Sequence, residues 1–237
     1  MTRRSLGQHY LVDPEVIERT VGVASVRPWE RVLEIGTGRG ALTRKLIGLG
    51  ASLECYEVDR RNLNDTQAIT GRGALVKLGD AFKERPEFDV LVSSLPYSKS
   101  AVFVEWLAGL EYDRAVVLLQ RDFVGKITAV PGSSNYRAVS VIAQISANIK
   151  TVCGVGREAF SPPPKVDSSL VIFRPKLRLP KQSAVLVKKL FSLRKRKVSV
   201  AAAKLNMLGA PEEYGRRRVY SLTPAEVSEV LALGSWP

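Results

Sequence analysis

The chain is short of the residues on which several common chemistries depend. It has one histidine, His9, and two cysteines, Cys55 and Cys153, among 237 residues. A single imidazole removes Ser-His-Asp and Cys-His catalysis unless His9 itself serves, and no nucleophile elbow surrounds it. The cysteines form neither a CxxC pair nor a metal-ligand spacing, so neither a disulfide framework nor a metal site is expected. No apolar run approaches the ~20 residues that cross a bilayer. The basic start Met1-Thr2-Arg3-Arg4 is not followed by the apolar core of a secretion signal. The expectation is a cytoplasmic protein with no membrane span. Asn, Gln, Cys and Met are all scarce, a composition that suits a thermophile. Acidic residues are outnumbered, 23 against 36 lysines and arginines, for a net charge of +13. Such an excess does not set a fold, but it favours a polyanionic partner, more so because it clusters in Arg194-Lys195-Arg196-Lys197 and Arg216-Arg217-Arg218.

What the chain does have is a regular alternation. Hydrophobic content of 45% is enough for a buried core, and the length fits one α/β domain with an appendage or two compact domains. Short apolar strands are predicted over 31–35, 53–58, 74–78, 88–93 and 115–119, alternating with helices over 14–25, 40–49, 60–69 and 100–110. Asp13-Pro14-Glu15 supplies an N-cap, a first-turn proline and an acidic first turn. This pattern implies a parallel sheet with helices on both faces. After Gln120 come predicted helices over 121–128 and 137–147 and two late strands, 149–155 and 170–173. Beyond Pro175 the pattern is helical only, over 183–193, 197–208 and 223–231, the last opened by the capping box Thr223-Pro224-Ala225-Glu226. A domain boundary is therefore placed near Pro175.

The strand Val32-Leu33-Glu34-Ile35 runs into Gly36-Thr37-Gly38-Arg39-Gly40 and opens a helix. Glycines there permit positive φ and let a ligand approach the main chain. A dinucleotide site competes with a nucleoside site at such a turn. The spacing is GxGxG rather than GxGxxG. Glu57 ends the second strand, placed to accept from a ribose diol, and Asp80 ends the third, placed to hold an adenine amino group. This order points to S-adenosylmethionine. Surface carboxylates at strand ends are the plainer reading.

The fourth strand ends in Ser94-Leu95-Pro96-Tyr97, at the sheet edge where open α/β folds bind ligands. An aromatic amine is a poor nucleophile because its lone pair is delocalised. Acceptors for its two hydrogens favour a pyramidal nitrogen aimed at a methyl donor. The Ser94 side chain and a carbonyl near Leu95 suit that task, and Tyr97 suits stacking on an extruded base. No histidine base is needed, because the methylated ammonium is a strong acid. A proline loop with a packed tyrosine is the alternative.

These residues resemble the KsgA-type rRNA adenine dimethyltransferases. Gly7-Gln8-His9-Tyr10-Leu11-Val12-Asp13 is similar to that family's GQNFLxD, and 34–43 to its EIGPGxGxLT. Tyr56-Glu57-Val58-Asp59, Gly79-Asp80-Ala81 and the proline-rich 159–168 match later motifs. Phe191 with Arg194-Lys195-Arg196-Lys197 resembles its basic helix start. The likeness runs from Leu6 to about Leu205. It implies a doubly wound Rossmann-like class I methyltransferase domain over 1–175 and a small basic helical domain over 176–237. It implies S-adenosylmethionine held by Gln8, His9, Leu11, Gly36, Gly38, Glu57, Val58, Asp80, Ala81 and Ser94. Catalysis would fall to Ser94, Leu95, Pro96, Tyr97 and Phe160, with Tyr97 and Phe160 sandwiching the adenine. Arg194, Lys195, Arg196 and Lys197 would contact RNA phosphates, and Gln8 with the N-terminal Arg3-Arg4 would join that RNA surface. The implied reaction is dimethylation at N6 of two adjacent adenines near the 3′ end of small-subunit rRNA. The implied partner is a preribosomal small subunit, met by a monomer.

The chain departs from that pattern in three places. Ser94 stands where the family has asparagine, and a serine oxygen accepts one hydrogen bond with a shorter reach. His9 also replaces an asparagine, and the C-terminal region is shorter. Two other functions stay open on these residues: an assembly factor that binds RNA and methylates little, and a base-amino methyltransferase acting on another RNA or on DNA.

Overall fold

The computed structural model describes residues 8–207 and 211–231. Arg3-Arg4, the start of the N-terminal motif and the expected helix end at Leu208 lie outside the described residues. The chain runs β1 (Tyr10–Leu11), α1 (Pro14–Ala24), β2 (Arg31–Ile35), α2 (Ala41–Ile47), β3 (Ser52–Glu57), α3 (Arg60–Thr70), β4 (Leu75–Leu78), β5 (Val90–Ser94), α4 (Ser100–Leu107) and β6 (Arg114–Gln120). There follow α5 (Arg121–Ile127), α6 (Ala138–Ser146), β7 (Ala147–Val155), β8 (Phe160–Ser161), β9 (Ser168–Pro175), α7 (Lys181–Ser192), α8 (Val198–Lys204) and α9 (Pro224–Val230).

Seven strands form one sheet in the order β4-β3-β2-β5-β6-β9-β7. The chain begins at the centre in β2, steps outward through β3 and β4, then returns to the other side of β2 as β5 and β6. All pairs through β6 are parallel, while β9 runs antiparallel to β6 with Val116 opposite Ile172. Strands covered on both faces read as unbroken apolar runs. Val32, Leu33, Val90, Leu91 and Val92 are accordingly buried in the central pair. Because β3 and β5 lie on opposite sides of β2, the connections leaving β2 and β5 diverge at the carboxyl edge. That divergence opens a crevice between Ile35 and Ser94.

The opposite edge is closed by ion pairs. Arg31 binds Asp89 through its side chain and its main-chain N–H and reaches Glu87. This clamp engages Asp89, and β5 starts one residue later, at Val90 rather than at Phe88. Arg114 makes two hydrogen bonds to Glu30 at 2.9 and 2.8 Å and donates to the carbonyls of Ala24 and Ser25, tying the end of α1 to β6. The expected cap on α1 is present, with Asp13 accepting from the N–H groups of Glu15 and Val16.

One pairing carries no periodic signal in sequence. Tyr10 and Leu11 lie antiparallel to Ser161 and Phe160, and the Val12 N–H extends the link to the Ala159 carbonyl at 2.9 Å. This two-residue ladder brings the N-terminal motif to the proline-rich loop, although about 150 residues separate them.

The chain forms two compact units. The first comprises 1–103, 111–124 and 149–175; the second comprises 104–110, 125–148 and 176–237. The chain thus passes between units at several points, of which Pro175 is one. Within the second, α6 packs on α7 and α9, and Tyr136 meets Phe191 edge-on at 5.6 Å around a core of Leu179, Val187, Leu190, Val227 and Leu222. The capping box at Thr223 and Glu226 is formed in both directions.

Candidate active site and cofactor cavity

At the carboxyl edge of β2, β3 and β5 lies a cavity of about 220 Å³, formed within the first unit. Every residue expected to hold a nucleoside cofactor or to act on a base lines it, from Gln8, His9 and Leu11 to Ser94-Leu95-Pro96-Tyr97 and Phe160. The glycine turn forms its floor. Gly36, Gly38 and Gly40 have φ of +73°, +55° and +76°. A Cβ on Gly38 would stand 3.0 Å from the Tyr10 ring, so side chains are excluded there by conformation and by space.

Glu57, at the end of β3, is buried. Its Oε1 accepts from the N–H groups of Val58 and Asp59 at 2.8 and 2.9 Å, and its Oε2 accepts from Gly38 N–H at 2.9 Å. Two looser contacts complete it, Thr37 Oγ at 3.4 Å and Asn62 Nδ2 at 3.5 Å. Three short main-chain bonds fix the carboxylate, and the two long ones are those a ribose diol could replace. Beside it Val58 is 55% exposed, an apolar face on the cavity wall. Asp80 at the end of β4 caps Phe82 N–H through Oδ1, and its Oδ2 lies 3.5 Å from Lys99 Nζ. Fixed carboxylates on either side of a bare apolar wall fit a nucleoside, whose ring is apolar on its faces and polar at its rim.

Asn62 lines the cavity from outside those motifs. Asn62 accepts from the Tyr10 hydroxyl, which also donates to Gln8, while Gln8 donates to Asp59 at 3.2 Å. The Arg61 guanidinium beside Asp59 holds that carboxyl well below its usual range. Glu34 is fully buried, and burial pushes its carboxyl up to about 7, with the neighbouring Glu57 charge adding to the effect. The Cys55 thiol donates to it at 3.7 Å.

At the end of β5 the two serines part company. Ser93 is buried and donates to the Ile35 carbonyl at 2.5 Å, whereas Ser94 lines the cavity. Among the described residues the Ser94 hydroxyl has no hydrogen-bond partner. Tyr97 is oriented by a 2.7 Å bond between its hydroxyl and Ser168 Oγ. The ring beside it is His9, near-parallel with centroids 5.8 Å apart, whose Nδ1 donates to the Pro162 carbonyl at 2.8 Å. Phe160 touches the cavity but is 4% exposed and belongs to the cluster around Leu11 and Ala159. Lys197 is the N-cap of α8, as expected of a basic helix start, while Lys195 and Arg196 precede the helix rather than lying on its face. They lie in the turn that links α7 to α8, where Lys197 opposes Arg218 in an isolated antiparallel bridge.

A nucleoside cavity at a topological switch point, with an unpartnered acceptor at the next strand's end, is the arrangement of class I S-adenosylmethionine-dependent methyltransferases. The chain has their sheet, and two solved structures show it. A dimethyladenosine transferase from Plasmodium falciparum aligns with a TM-score of 0.81 at 25% identity, covering 95% of this chain and 97% of that one. The 23S rRNA methyltransferase ErmE aligns with a TM-score of 0.66 at 22% identity, covering 94% and 98%. In sequence, a family model described as ribosomal RNA adenine dimethylase matches residues 1–213. A probable ribosomal RNA small subunit methyltransferase A from Pyrococcus abyssi is 36% identical over 239 residues, covering 95% of this chain and 89% of that protein. Its counterpart from Thermococcus gammatolerans is 37% identical over 246 residues, covering 96% and 87%. The chain belongs to the ribosomal RNA adenine dimethylase family. It is an S-adenosylmethionine-dependent enzyme that methylates rRNA adenine.

Proposed function

We propose that the enzyme dimethylates N6 of two adjacent adenines near the 3′ end of small-subunit rRNA, on a maturing small subunit in the cytoplasm and as a monomer. The observation that carries the chemistry is the free Ser94 hydroxyl, set at the end of β5 in the same cavity as the glycine turn and Glu57. The relatives' names, small subunit methyltransferase A, support the choice of subunit. Among the described residues no helix is long and apolar enough to cross a membrane.

Bound S-adenosylmethionine supplies an electrophilic methyl group. Gly36, Gly38, Val58 and Ala81 leave room for it, with Gln8, His9 and Leu11 as the opposite wall. Glu57 would accept from the ribose hydroxyls in place of Thr37 and Asn62. Asp80 would accept from the cofactor's adenine amino group. Ser94 Oγ and the Leu95 carbonyl accept the two hydrogens of the target amine, which leaves its lone pair free to point at the methyl. Pro96 holds that carbonyl in place. Tyr97, locked by Ser168, stacks on the extruded adenine, and Phe160 closes the other side from the core. Base–aromatic stacking contributes about 1–3 kcal/mol, enough to retain a flipped base. The basic unit, through Arg194, Lys195, Arg196 and Lys197, holds rRNA phosphates.

Ser94→Ala tests this assignment on unmethylated small subunits. The expected outcome is a fall of about 10²-fold in the rate of methyl transfer, the effect of removing one hydrogen-bonding group that acts where charge develops, with cofactor affinity kept. Unchanged transfer would remove Ser94 from the chemistry.

A further inference from the structure

The two basic runs, separated by about twenty residues in sequence, meet in the second unit. Val198 N–H donates to the Arg217 carbonyl at 2.8 Å, Val219 N–H to Arg196 at 3.0 Å and Tyr220 N–H to Arg194 at 3.0 Å. This makes Lys197 and Arg218 directly opposed in an antiparallel bridge. The flanking hydrogen bonds identify it as a non-hydrogen-bonded pair, in which opposed side chains leave the same face about 4.5–5.5 Å apart. Like charges so opposed repel each other.

The second run alternates. Arg216 and Arg218 are exposed, whereas Arg217 is partly buried and turned onto Glu226, with contacts at 2.6 and 3.0 Å. Among the described residues Glu226 is the one carboxylate paired with any of these seven cations. Glu229 accepts from the Tyr214 hydroxyl. Arg194 lies over the Tyr220 ring at 5.5 Å and Arg218 donates to the Lys195 carbonyl, so the cations are held in place without being neutralised.

We propose that Arg216 and Arg218 join Lys195, Arg196 and Lys197 in one cationic patch, tied together by this bridge, that grips consecutive phosphates of RNA, with Arg217 as its internal strut. An RNA backbone is the favoured occupant because it supplies charges in a row and relieves the Lys197–Arg218 repulsion. A single acidic side chain would not. The proposal rests on the rRNA reading above and extends it to residues that the resemblance does not reach.

The test uses the full chain and protein-free small-subunit rRNA, with the dissociation constant measured against KCl concentration. Removing one cation from a phosphate lowers the slope of log K against log salt by roughly 0.7–0.9. Arg216→Gln replaces an exposed side chain that makes no hydrogen bond or ion pair among the described residues, and should lower the slope by about that amount. Arg216→Gln with Arg218→Gln should lower it by about twice as much, with Tm unchanged or raised. Arg217→Gln should lower Tm and leave the slope alone. Unchanged slope and affinity in the double variant would overturn the proposal. So would weaker binding seen on intact subunits but absent on bare rRNA, which would make the patch a protein-binding surface. Methylation by the wild-type enzyme, assayed in parallel, separates failure of the patch from failure of the rRNA reading.

Discussion

Glu34→Gln removes a charge while keeping the shape of a side chain sealed at the base of the cavity. Glu34 is 1% exposed, and burial raises its carboxyl from 4.5 to about 7, with Glu57 as a smaller contributor. That displacement corresponds to about 3 kcal/mol. The folded protein takes up this proton below about pH 7, the unfolded chain only below 4.5. Between those values the folded state binds more protons, so stability falls as pH rises through the window. The favourable contribution is fully present below 4.5 and gone above about 7. Glutamine cannot titrate and lacks this decline. Urea unfolding of both proteins at pH 5 and pH 8 measures it. The wild type should lose up to about 3 kcal/mol more than the variant between the two. Parallel profiles would refute the reasoning, because they would mean that cavity water already solvates the carboxylate.

Two further substitutions test the frame and the floor. Arg114→Met strips Glu30 of its partner; both side chains are nearly buried, at 11% and 7% exposure. The expected loss is about 3 kcal/mol at pH 7, read by denaturant unfolding. It should shrink as pH falls toward Glu30 protonation, because Arg114 holds that carboxyl below its ordinary value. Gly38→Ala forces a Cβ into positive φ and onto the Tyr10 ring. A strain of about 1–2 kcal/mol should weaken S-adenosylmethionine binding roughly tenfold by titration calorimetry, with the sheet intact by circular dichroism.

The sheet was legible because its strands are buried on both faces. Val32–Ile35 and Val90–Val92 stand out as apolar runs closed by glycine or by Ser-Leu-Pro. Cavity residues were legible where they sit at strand ends, as Glu57, Asp80 and Ser94 do. Contacts between distant short segments were not. Tyr10–Leu11 pairs with Phe160–Ser161 over two residues, too few to show a period of two. The bridge from Lys197 to Arg218 carries no signal either, because its partner lies beyond α8 and the contact is a single residue pair. Asn62 and Lys99 reach the cavity from α3 and the turn before α4, where one polar residue looks like any solvated one. The His9 ring beside Tyr97 depends on the same long-range pairing that carries β1 to the proline-rich loop.

The central claim is that the cavity delivers methyl groups to N6 of paired rRNA adenines. The most direct measurement is the mass of the 3′ fragment of small-subunit rRNA after unmethylated subunits have been incubated with the enzyme and S-adenosylmethionine. The expected result is two methyl groups on each of two adjacent adenines. An unmodified fragment, with methyl groups found elsewhere or nowhere, would contradict it.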